Sequence, residues 1–190
     1  LASRDSRVRV IPLSRNFGHQ AALTAGLDHA VGNPVVTLDA DLQDPPEVIP
    51  EMVERWRDGN DVVYAVRKRR AGESGFKLKT AKGFYKLFGR LATVDLEPES
   101  GDFRLLDRRP LEALLAMRER SRFLRGMTVW VGYRQFAVPY ERDARYAGET
   151  KYTLRRMLRF SIDAMTTFSR VPLQIATLLF AFSAFGVIAR

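Results

Sequence analysis

The apolar positions change period several times along the chain, and each change predicts an element. Val8 to Leu13 is a short apolar run that reads as a buried strand. From Gly18 to Val31 the apolar residues Ala21, Ala22, Leu23, Ala25 and Leu27 recur with helical spacing, and Gly32 supplies a stop. Val35-Val36-Thr37-Leu38 is a second strand-like run that breaks into Asp39-Ala40-Asp41-Leu42-Gln43-Asp44, so acidic residues stand at a strand's carboxyl end. Asp44-Pro45-Pro46-Glu47 predicts a helix start, with Asp44 as cap, Pro45 at the first position and Glu47 reaching back. Val48, Ile49, Met52, Val53 and Trp56 then form one apolar face, Gly59-Asn60 ends the helix, and Asp61 to Val66 reads as a third strand. The order β-α-β-α-β predicts a mainly parallel, Rossmann-like sheet with flanking helices and with ligands bound beyond the strands' carboxyl ends.

Further along, Arg67 to Arg90 mixes Lys and Arg with Phe76, Phe84, Tyr85, Leu87 and Phe88, a loop followed by a basic amphipathic helix. A strand is expected at Phe103 to Leu106, a helix from Pro110 to about Met117, and a last strand around Phe136 to Val138. From Thr153, the residues Leu154, Met157, Leu158, Ser161, Ile162, Met165 and Phe168 keep a helical period with Arg155, Arg156 and Arg159 on other faces, as in a helix lying in a membrane interface. Val171 to Ala189 holds no charge and approaches the ~20 residues of a spanning helix, the alternative being a helix buried in a larger core. The division expected is a catalytic domain over 1–150, an interface helix over 151–170 and a transmembrane helix over 171–190.

Composition narrows the chemistry. With 46% hydrophobic residues in 190, the chain can bury a core, and with no cysteine it has neither disulfides, thiolate metal sites nor a Cys nucleophile. A net charge of +9 asks for an anionic partner: nucleic acid, anionic lipid or a phosphorylated substrate. The chain opens on Leu1-Ala2-Ser3-Arg4 without Met and closes on an apolar stretch and Arg190, which reads as a piece of a longer protein.

Asp39 and Asp41 lie two positions apart just past a strand, where both carboxylates can turn toward one divalent cation. Mg²⁺ prefers few protein carboxylates, with substrate phosphates completing its shell. Arg104 and the segment Arg145 to Lys151 supply cations that could hold phosphates, with Gly148 suited to a loop that closes on a ligand. His19 and His29 stand ten apart with no partner Cys or His pair, so both read as surface or helix-packing residues rather than metal ligands.

Taken in order, Arg15-Asn16-Phe17-Gly18, then Ala22 and Gly26, then Asp39 to Glu47, then Gly101-Asp102-Phe103-Arg104-Leu105-Leu106, then Gly148-Glu149-Thr150-Lys151-Tyr152 resemble the successive motifs of family 2 polyprenyl-phosphate glycosyltransferases. The bactoprenol glucosyltransferases are the nearest subgroup, dolichol-phosphate mannosyltransferases a more distant one. The resemblance implies a GT-A fold, a nucleotide-sugar donor (UDP rather than GDP), a polyprenyl phosphate acceptor, and Mg²⁺ or Mn²⁺ held through Asp41 with Asp39 on the nucleotide side. It implies that Gln43 lines the donor site and that Arg67 and Lys77 face the phosphates of acceptor and donor, while Arg104 and Arg145 to Lys151 are the cations that could hold the acceptor phosphate and the leaving diphosphate. It makes Asp102 the catalytic base. A phosphate monoester with a second pKa near ~6 needs no strong base, so orienting the acceptor, binding metal and taking the last proton stay open for Asp102. In the family an opening strand and an Asp-Asp-Gly-Ser-like segment precede the position of Leu1, and Thr150 stands where Ser is usual.

The expected activity is therefore inverting transfer of a hexose, glucose first, from a nucleotide sugar to undecaprenyl-type phosphate, on the cytoplasmic face of the inner membrane. A GDP-dependent mannosyl transfer and a non-catalytic membrane scaffold are the alternatives. A processive synthase would carry Gln-x-x-Arg-Trp, a context that neither Trp56 nor Trp130 has. A nucleic-acid module would leave Asp39-Ala40-Asp41 and the apolar stretch unused. A homo-oligomer is left open.

Overall fold

The computed structural model describes residues 2–41, 43–68, 97, 100–119, 122–141, 169 and 171–188. Four strands, β1 (Val35–Thr37), β2 (Val62–Arg67), β3 (Ser100–Leu106) and β4 (Gln135–Tyr140), form one sheet in the order β1-β3-β2-β4. Three helices cover one face: α1 (His19–Asp28), α3 (Arg108–Ala116) and α4 (Leu124–Trp130). The other face carries α2 (Ile49–Arg57), entered through a 3₁₀ turn over Pro46–Val48.

Alternation along the strands builds the two cores. Val62 and Leu106 point into a cluster with Leu27, Leu111, Leu114 and Met127, while Val63, Leu105 and Phe103 point into one with Met52, Val138 and Tyr140. The expected apolar face of α2 packs on this second cluster: Met52 is fully buried, and Val48, Ile49, Val53 and Trp56 cover it. Trp56 Nε1 also donates to Asp107 Oδ2 at 2.7 Å, and Asp107 Oδ1 accepts from the Arg109 amide at 3.2 Å as the cap of α3.

The expectation of a mainly parallel sheet is corrected. Only β2 and β4 pair in parallel; β3 runs antiparallel to both β1 and β2. Its insertion between them decides where the site forms. The start of β3 lies beside the ends of β1 and β2, with Thr37 opposite Arg104 and Val66 opposite Ser100, and the parallel pairing sets Tyr140 beside Arg67. One sheet edge thus gathers the ends of three strands and the beginning of a fourth.

Three further expectations change. Val8 to Leu13 is not a strand: Val10 is 71% exposed, and among the described residues no ladder partner is present. An apolar run becomes a strand only when another edge satisfies its backbone. Asp44 is not a helix cap; the 3₁₀ turn begins after an extended Pro45 with no side-chain cap, and Asp44 turns inward instead. α4 was not expected, because Leu124 to Trp130 is too short to display a helical period.

The charge-free stretch does form a helix, α5 (Val171–Ile188), but its 18 residues rise only about 27 Å against a hydrocarbon core of about 30 Å. Among the described residues, no helix is long and apolar enough to cross a membrane. Apart from Arg67, Lys68 and Ser169, the loop and basic helix expected over 67–90 and the interface helix expected over 151–170 lie outside the described residues.

Candidate functional site

The site is the sheet edge where these strands converge. β1 ends at Thr37 and releases the chain through Leu38 to Asp39, whose carboxylate is about a third exposed. Two residues on, Asp41 Oδ1 accepts a hydrogen bond from the Gln43 amide at 3.1 Å, closing the turn. Gln43 and Asp44 are buried beneath it.

Asp102, the third residue of β3, faces this turn. Its backbone carbonyl accepts from Thr37 Oγ1, tying β3 to β1. Its Oδ2 meets His19 Nε2 at 2.9 Å and accepts from Gln20 Nε2 at 3.1 Å. The same His19 nitrogen lies 3.8 Å from Asp39 Oδ1, so the imidazole stands between the two carboxylates. α1 delivers both side chains because Gly18 adopts φ 93° just before His19, a left-handed conformation natural to glycine, with its amide held by Asn16 Oδ1 at 2.9 Å.

Burial by itself would raise Asp102, but the His19 hydrogen bond and the Arg125 and Arg104 guanidiniums outweigh it and draw its pKa down to about 2. Asp102 is therefore held as an anion, fixed on one oxygen by His19 and Gln20. His19 is raised, chiefly by its bond to Asp102. Unlike Asp102, Asp39 is raised: burial lifts it, His19 opposes, and Asp102, Asp44 and Asp41 add repulsion.

On the other side stands Arg67, at the end of β2. Its Nε donates to Tyr140 Oη at 3.2 Å, and that hydroxyl in turn donates to Asp44 Oδ1. Desolvation would lower Arg67, yet Tyr140, Asp44 and Asp39 raise it on balance, so it stays a cation. Tyr140 itself is pushed up to about 12 by burial and by its bond to Asp44, and remains a neutral donor. The guanidinium lies over Gly101: a Cβ there would stand 3.1 Å from Arg67 Nη2. Glycine beside Asp102 thus makes room for the close approach of the guanidinium.

Arg104 is placed differently from the expectation of a phosphate contact. It is 4% exposed, with Nη2 donating to the Gly101 carbonyl within β3 at 2.8 Å and Nη1 donating to Thr128 Oγ1, which ties β3 to α4. Burial lowers it to about 10, and with Arg125, Tyr64, Tyr133 and Gln135 it lines a cavity of about 210 Å³. Of the residues singled out from sequence, Asp39, Asp41, Gln43, Arg67 and Asp102 come together. Lys77, Arg145 and Lys151 lie outside the described residues. His19, Gln20 and Tyr140 were missed; only the position of His19 and Gln20 directly after the Arg15-to-Gly18 motif could have drawn attention to two of them.

Among the described residues no cluster of three or more metal-binding side chains forms. Asp39 and Asp41, two positions apart just past β1, are a donor set of the kind a hard divalent cation uses with one or two carboxylates.

Comparison with known proteins agrees with this chemistry. The family described as glycosyl transferase family 2 matches residues 1–115. An uncharacterised glycosyltransferase of Bacillus subtilis is 53% identical over 173 residues, which is 91% of this chain and 54% of the relative. A prophage bactoprenol glucosyl transferase homologue of Escherichia coli is 43% identical over 93% of this chain and 58% of its own length. The bactoprenol glucosyl transferase of Shigella phage SfV is 42% identical over 97% of this chain and 60% of its own. The chain therefore spans little more than half the length of these relatives.

Proposed function

Because the chain belongs to glycosyl transferase family 2, we propose that it is the catalytic part of an enzyme that moves a hexose from a nucleoside diphosphate sugar onto a polyprenyl phosphate. Glucose from a UDP-sugar is the transfer favoured, through the likeness to bactoprenol glucosyl transferases. The observation that carries the reading is the convergence of Asp39, Asp41, Asp102 and Arg67 on one sheet edge, carboxylates on one side and a braced guanidinium on the other.

The reaction is one displacement. A phosphate oxygen of the lipid forms a bond to the anomeric carbon while the bond from that carbon to the diphosphate oxygen breaks, and the leaving nucleoside diphosphate keeps the electron pair. Asp39 and Asp41 would hold Mg²⁺ or Mn²⁺, whose chemistry when bound is to neutralise charge on the diphosphate. Arg67 faces phosphate with an orientation set by Tyr140 and by the gap over Gly101. Asp102 stays ionised and orients the acceptor side of the pocket. Gln43 borders the donor side, and Lys77, Arg145 and Lys151, outside the described residues, are assigned to phosphate by the sequence alone.

Membrane attachment, with the catalytic part on the cytoplasmic face, belongs to the same proposal. α5 exposes Leu173, Ile175, Leu178, Leu179 and Phe180, each more than half accessible, and such a surface needs an apolar cover. Arg155, Arg156, Arg159 and Arg170 precede it in the chain, and Arg190 follows.

The test is to incubate the intact protein with polyprenyl phosphate, a panel of nucleotide sugars and Mg²⁺ or Mn²⁺, and to weigh the lipid product. A hexosyl phospholipid whose formation stops on chelation is the expected result. Transfer to a non-lipid acceptor, or no transfer from any donor, overturns the reading.

A further inference from the structure

We propose that His19 and Gln20 are positioning residues that clamp one oxygen of Asp102 and so set the plane of its carboxylate toward the acceptor phosphate. The inference rests on the glycosyl-transfer reading of this site and adds two residues to it.

Three features of the geometry support a clamp rather than incidental contact. First, two N–H donors from adjacent residues of one helix converge on the same atom, Oδ2, at 2.9 and 3.1 Å. Two donors arriving from different side chains restrict the carboxylate's rotation more than either alone. Second, the Gln20 amide is itself oriented, because its Oε1 accepts from the Leu124 backbone amide at 2.9 Å, which turns the NH₂ group toward Asp102. The clamp is thereby anchored to the start of α4 and does not depend on α1 alone. Third, the Asp102 backbone is pinned by Thr37 through its carbonyl, so main chain and side chain are both located.

His19 has a second consequence. Its Nε2 lies 2.9 Å from Asp102 Oδ2 and 3.8 Å from Asp39 Oδ1, so one ring nitrogen reaches both carboxylates and locates them relative to each other. Without that ring, Asp102 could swing, and a misplacement of about 1 Å near reacting atoms can cost on the order of 100-fold in rate.

The experiment uses the intact protein and its lipid product. His19→Ala and Gln20→Glu are each expected to lower kcat by about 10- to 100-fold. The Gln20 side chain bonds only Asp102 and the Leu124 amide among the described residues, so in Gln20→Glu the KM for the nucleotide sugar is expected to change by less than about 3-fold. Gln20→Glu keeps the shape but replaces the N–H donor with a repelling oxygen. His19→Gln restores a donor and is expected to recover most of the lost kcat. Thermal melts of each variant separate positioning from folding, since a purely structural role lowers the melting point and the active fraction together and is not rescued by glutamine. A parent that transfers sugar while both variants keep parental kcat sinks the clamp and leaves the glycosyl-transfer reading standing. A parent that makes no glycosyl lipid from any donor removes the reading, and the clamp falls with it.

Discussion

Gly101 and Asp41 show how much a single position can decide here. In Gly101→Ala the new methyl would stand 3.1 Å from Arg67 Nη2 and push the guanidinium, whose Nε is bonded to Tyr140, by a few tenths of an ångström. The expected result is a several-fold rise in KM for a phosphate-bearing substrate with a melting point close to parental, read from steady-state kinetics and a thermal scan. Asp41→Asn acts differently: under the proposed function it removes one charge where the diphosphate would be neutralised. Most of the activity should disappear, with stability changed by less than about 0.5 kcal/mol as for other surface substitutions. Calorimetry in which the variant bound nucleotide sugar and metal as tightly as the parent would refute that role.

At the scale of elements, Asp107 connects two helices across the end of the sheet. It caps α3 through the Arg109 amide and receives the indole N–H of Trp56 on α2. Asp107→Ala removes both bonds and is expected to cost about 1 to 2 kcal/mol, measured by urea unfolding at pH 7. The sign of the pH dependence follows from its pKa. Burial would raise the group, but the bonds from Trp56 and Arg109 hold it below the ordinary value. Its folded pKa is therefore depressed, so its contribution is present above the unfolded value of about 3.9 and fades as pH falls through the folded one. The gap between parent and variant should narrow when the same unfolding is repeated near pH 3. A gap of equal size at both pH values would mean that the charged form contributes nothing.

For the whole molecule, a basic catalytic part and an exposed apolar helix suggest two kinds of attachment to one surface. Each basic residue near an anionic membrane adds roughly 1 kcal/mol that salt can screen, whereas buried apolar area is not screened. The full chain is expected to stay with anionic vesicles at high salt. A chain ending near Phe168 should bind them only at low salt, and one ending near Gly148 poorly at either. Co-sedimentation of the three at low and high salt decides it, and a full chain left in the supernatant would mean that α5 covers its apolar surface on protein instead.

Periodicity and residue type alone determined the elements around the site: α1, β1, α2 with its five-residue apolar face, β2, β3 and β4, and the placing of Asp39 and Asp41 just past a strand. These are local matters, since a period of two or of 3.6 is written in neighbouring residues. Tertiary structure decided what no local pattern contains. Whether β3 runs parallel or antiparallel depends on which edges it finds, and its antiparallel insertion alone brings Asp102 and Gly101 to the edge where Asp39 and Arg67 end. His19 looked like a surface residue because its partner Asp102 lies 83 positions away, and Asp44 looked like a cap until Tyr140, 96 positions on, drew it into the core. A polar side chain's role is set by whatever satisfies it when water is removed, and in this fold those partners arrive from distant strands.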